Sequence, residues 1–69
     1  MANDNDLILA RCKHNRSVGA TTIDLHIDRE TEEEAAELYP GGPVGTVCGK
    51  VRGAWVVNFK IEDVEAALS

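Results

Sequence analysis

The segment Thr22–Asp28 constrains this chain more than any other. Ile23, Leu25 and Ile27 alternate strictly with Asp24, His26 and Asp28. Successive side chains of a strand point to opposite faces, so a two-residue period is the mark of a strand with one face in a core and one in water. A helix would scatter these residues around its circumference. The segment therefore predicts a sheet covered on one side only, which favours antiparallel pairing. Something else in the chain must supply the cover.

The flanking sequence supplies it. Arg29–Tyr39 reads as a short acidic helix: Thr31 followed by Glu34 is a capping-box pattern, and Ala35, Leu38 and Tyr39 can share one face. Pro40-Gly41-Gly42-Pro43 stops it. Val44–Val51 predicts a strand in which Gly45 and Gly49 mark bulges or close approaches. Arg52-Gly53 is a turn. In Ala54–Lys60 the residues Trp55, Val57 and Phe59 alternate with Val56, Asn58 and Lys60, giving a strand facing the core. Ile61–Leu68 places Ile61, Val64 and Leu68 on one face of a C-terminal helix.

At the other end, Leu7, Ile8, Leu9, Ala10 and Cys12 form an apolar run. It reads as a first strand, Leu7–Lys13, joined to Thr22–Asp28 by a hairpin connection over His14–Ala20, where Asn15, Ser17 and Gly19 are turn formers. Met1–Asp6 is a polar lead expected to fray. The expectation is an α+β domain with an antiparallel sheet of about four strands and two short helices, in the order β-β-α-β-β-α. Sixty-nine residues suffice for one such domain, residues 1–69, and not for two. A core of this size gives little room for a deep, water-excluding pocket.

Charge narrows the partners. The net charge is −5, which disfavours direct binding to nucleic acid or to an anionic membrane and favours a basic protein. No apolar run approaches the roughly 18 residues of a membrane helix, and the polar start is unlike a secretory signal, so a cytoplasmic protein is expected. The two cysteines, Cys12 and Cys48, read as buried thiols rather than a disulfide framework.

The acidity is concentrated. Asp24–Glu37 holds seven acids (Asp24, Asp28, Glu30, Glu32, Glu33, Glu34 and Glu37) against one base, Arg29. Such an array can either imitate a phosphate backbone toward a partner's Arg/Lys groove or simply keep a helix face solvated. Paired carboxylates for acid–base chemistry would need contrasting environments in a pocket, which uniformly exposed positions do not offer. Cys12, His14, His26 and Cys48 are metal-ligating types but lack the paired spacing of structural zinc sites, so no metal or cofactor is expected. Arg11, Lys13, Arg16, Lys50, Arg52 and Lys60, beside the lone Trp55, could form a nucleic-acid platform, against which the net charge argues.

In size, acidity and α+β layout the whole chain resembles small phage- and prophage-encoded anti-defence proteins, the acidic anti-CRISPR inhibitors among them. The resemblance implies a protein that blocks the nucleic-acid-binding surface of a CRISPR effector complex in the host cytoplasm. The reading that follows is a non-enzymatic, nucleic-acid-mimicking inhibitor that binds through the seven acids just named. The alternative is a small homo-oligomeric structural or accessory domain, a homodimer being one form, that assembles through its strand edges.

Overall fold

A computed structural model describes residues 4–69. The elements run α1 (Asp4–Ser17), β1 (Thr22–Ile27), α2 (Glu32–Ala36), β2 (Thr46–Val51), β3 (Ala54–Lys60) and α3 (Ile61–Leu68). The class is α+β, as expected, but the order is α-β-α-β-β-α, with three strands and three helices among the described residues.

The difference lies at the start. Leu7–Lys13 is not a strand, and His14–Ala20 is not a hairpin connection; both belong to α1 and its stop. The apolar run Leu7–Ala10 fits either period, because a short continuous run carries no phase. The flanks decide for helix. Asp4 and Asp6 occupy the first turn and His14 and Arg16 the last, the arrangement that complements the helix dipole. The helix ends in a Schellman motif: the Gly19 N–H donates to the Arg16 carbonyl and the Ala20 N–H to the Asn15 carbonyl, with Gly19 at φ +89°. Of the Met1–Asp6 lead, residues 1–3 lie outside the described residues and Asp4–Asp6 form the first turn of α1.

The three strands are antiparallel in the order β1-β3-β2. β3, the richest in large apolar residues, takes the centre. Its register sets Ile23 against Phe59, Leu25 against Val57 and Ile27 against Trp55. β1 keeps the alternation read from its sequence, with Ile23, Leu25 and Ile27 buried and Thr22, Asp24 and His26 exposed. All three helices cover the apolar face. Cys12 of α1, Ala35 of α2, and Ile61 and Val64 of α3 close one core with Ile23, Leu25, Ile27, Val57 and Phe59.

The connections follow local chemistry. Arg52 and Gly53, at φ +51° and +83°, make the two-residue turn between β2 and β3, where both central positions of a tight hairpin are left-handed. β3 enters α3 without a loop, and the Ile61 N–H donates to the Thr21 carbonyl at 3.0 Å. The Thr31 hydroxyl caps α2 by accepting from the Glu34 N–H at 3.2 Å. α2 stops at Ala36, before the Pro-Gly segment, because Glu37 turns extended and bridges Val44. Leu38 still packs against the core, whereas Tyr39 is largely exposed.

Candidate partner-binding surface

The seven acids singled out in the sequence divide into three groups. Glu30, Glu32, Glu33 and Glu34 form the first. All four are exposed on the approach to α2 and on its first turn. The approach is held from below: Trp55 Nε1 donates to the Arg29 carbonyl at 3.1 Å, and the Arg29 guanidinium donates to the Asp28 carbonyl at 2.9 Å. Asp28 is exposed at the same end of β1 and extends this group.

Glu37 stands apart. It is half-buried, and its Oε2 accepts from the Gly41 N–H at 3.0 Å, so its charge is spent on the turn that follows α2. Asp24 is further removed. It sits on the open face of the sheet, opposite the helices, where its Oδ1 accepts from Asn58 Nδ2 at 2.7 Å. One flat partner cannot meet Asp24 and the α2 carboxylates together. That separation is implicit in the alternation of β1: Asp24 has the phase opposite to Ile23, Leu25 and Ile27, which face the helix-covered core.

The cations are dispersed and largely committed to the fold. The Arg16 guanidinium reaches Glu65 Oε1 at 2.6 Å, joining α1 to α3, and this hydrogen bond and charge push its already high pKa further up. Arg11 donates to the Asp24 carbonyl at 3.1 Å. Lys50 lies over the Trp55 ring, 5.0 Å from its centroid. A stacking platform for bases would need that ring free.

His14 and His26 are exposed, His14 in the last turn of α1 and His26 on β1. The two thiols differ, against the expectation that both are buried: Cys12 is fully enclosed and Cys48 is exposed on β2. Burial raises the Cys12 pKa above its ordinary value, with the Glu65 charge adding to the effect and Arg11 and Arg16 opposing it. Among the described residues no three His, Cys, Asp or Glu side chains converge as a metal site would require. Nor is any helix long and apolar enough to cross a membrane.

A surface groove of about 540 Å³ opens where α1 begins and β1 and α3 end. Ile8, Leu25, Ile27, Leu38 and Leu68 form its apolar floor, with Asp4 and Asp28 on the rim. Compared with known protein families, curated proteins and solved structures, the chain matches none.

Proposed function

We propose that the chain is a non-enzymatic protein-binding module, an acidic inhibitor that occupies a basic, nucleic-acid-binding surface of its partner in the manner of anti-CRISPR proteins. The observation that carries this reading is the group Glu30, Glu32, Glu33 and Glu34: four exposed carboxylates on one short stretch, with no cation among the described residues paired to any of them. Unpaired surface charge of one sign steers a partner of the opposite sign and draws on the electrostatic term that dominates phosphate recognition. Asp28 belongs with this group; Glu37 and Asp24 do not, because each is held by the chain itself or faces away. The partner is a basic protein of the nucleic-acid-handling kind, met in the cytoplasm, and the chain itself binds neither nucleic acid nor membrane.

The test is a quantitative pull-down from host lysate with three baits: the parent chain, Glu32→Lys/Glu33→Lys/Glu34→Lys, and Asp24→Lys. The parent and Asp24→Lys should retain the same basic protein, with retention falling as salt rises. The triple variant should lose it. Equal retention by the triple variant sinks the reading.

A further inference from the structure

The two edges of the sheet are finished differently. The bond from the Ile61 N–H to the Thr21 carbonyl fixes the phase of the β1–β3 ladder. By antiparallel alternation, odd-numbered residues of β1 bond to β3 and even-numbered ones turn their backbone groups outward. Two of those outward groups, the Thr22 and Asp24 carbonyls, accept from Asn15 and Arg11 of α1. A helix covers the first half of the β1 edge.

The same alternation, carried across β3, turns the backbone groups of Thr46, Gly49 and Val51 toward β3 and those of Val47 and Lys50 outward. At the start of the strand the edge is occupied, because the Gly45 N–H donates to the Ala36 carbonyl at 2.7 Å. Beyond it the edge is exposed. A bulge at Cys48 sets the spacing: the register shifts between Val47 and Gly49, so the outward-facing positions are three residues apart instead of two.

We propose that this edge is an interface for a second copy of the chain, paired antiparallel about a two-fold axis at Cys48–Gly49 so that Val47 of each copy stands opposite Lys50 of the other. Three features meet in this register. The first is hydrogen bonding: the only outward-facing pair on this stretch meets its own symmetry mate, and each pair exchanges two bonds. The second is facing. Val47 and Lys50 pair with Val57 and Trp55, both on the helix-covered side, while Gly49 pairs with Val56 on the open side. Residues brought opposite each other thus share a face, as antiparallel pairing requires; in an unbulged strand positions 47 and 50 would point to opposite faces. The third is charge. Glu32 and Glu33 border a shallow cleft with Ala36 and Val47. Pairing delivers Lys50 of one copy to these carboxylates of the other, twice by symmetry. β2 itself carries no acid. Because α1 lies along each β1 edge and takes up its Thr22 and Asp24 carbonyls, the assembly closes at six strands and does not grow into a filament.

The proposal stands without the inhibitor reading, and its test uses only the purified chain. Sedimentation equilibrium across a dilution series should show the mass rising toward twice that of the monomer. Val47→Pro removes an outward N–H and no bond within the chain, so it should keep the parental circular dichroism and stay monomeric. Lys50→Glu and Glu33→Lys should each weaken association by about tenfold or more, and the two together should recover most of it. A parent chain that is monomeric at millimolar concentration would mean that the bulge and Lys50 guard the edge instead of pairing it. That result overturns the proposal, as does a Val47→Pro variant that dimerises normally or a charge swap no better than its single variants.

Discussion

The Arg11 guanidinium donates to the main-chain carbonyl of Asp24, thirteen residues away, at 3.1 Å. One helical turn later, Asn15 Nδ2 donates to the Thr22 carbonyl at 3.4 Å. Positions four apart on a helix and two apart on a strand advance by nearly the same distance, about 6 Å and about 6.6 Å. α1 can therefore lie along the β1 edge and supply a donor for successive outward carbonyls. The helix that was unexpected from sequence does what a fourth strand would have done, satisfying an edge that would otherwise remain open.

Replacing Arg11 and Asn15 together by Ala should cost about 0.5–1.5 kcal/mol, at the low end of what two hydrogen bonds contribute because both are exposed. The midpoint of urea unfolding should fall with an unchanged slope. Light scattering at high concentration should rise as the β1 edge becomes available for pairing. A variant that scatters like the parent would show that the bulk of α1, rather than these two side chains, protects the edge.

Gly45 answers to space rather than to backbone freedom. A Cβ placed there would stand 2.7 Å from the Asn58 carbonyl oxygen, 2.7 Å from Val57 Cγ1 and 2.9 Å from Phe59 Cδ1. These neighbours belong to the central strand and its core side chains, which cannot move aside without loosening the sheet. Gly45→Ala should destabilise by about 1–3 kcal/mol, the usual cost of overpacking. Gly49→Ala, where the same atom would meet nothing within 4 Å, is the control and should lie near the parent in thermal unfolding.

These two glycines show what the sequence carried. Both stood out in the Val44–Val51 pattern, yet only coordinates distinguish the close approach at Gly45 from the open bulge beside Gly49. β1, β3 and α3 were legible because their apolar residues repeat with a definite phase over a whole element. α1 was not. Its one buried residue is Cys12, Leu7 is 57% exposed, and its apolar residues form no stripe long enough to show a 3.6-residue period. The signs that were present lay at its ends, in Asp4 and Asp6, in His14 and Arg16, and in Gly19. For the acidic surface, composition gave the cluster, and the phase of β1 already held the reason Asp24 leaves it. The turn that takes up Glu37 depends on where α2 ends, and no periodicity encodes that.

Thiol chemistry separates the two cysteines. Cys48 is exposed and Cys12 is fully enclosed. An aromatic disulfide reagent should consume one thiol per native chain quickly and the second only as the core opens. An opening free energy of about 3–5 kcal/mol, typical of a core this small, slows the second reaction by roughly 10²–10⁴-fold. In denaturant both should react together, and in Cys48→Ala only the slow phase should remain. Two fast thiols in the native chain would contradict the placement of α1 against the sheet.

Cys12 also links stability to pH. Burial raises its native pKa above the ordinary 9.0, so the folded chain keeps this proton where the unfolded chain releases it. Below pH 9.0 both states are protonated and the contribution is fully present. As pH climbs past that point only the unfolded state ionises at first. Stability then falls until the native value is passed, by at most about 1.4 kcal/mol per pH unit for a single proton. The informative quantity is the difference between the parent and Cys12→Ala. Urea unfolding at intervals from pH 7 to 11 should show the parent losing stability faster than the variant above pH 9, on top of the constant penalty of the cavity. Parallel curves across that range would mean that Cys12 gives up its proton as readily in the native chain as in the unfolded one, and that α1 does not seal it.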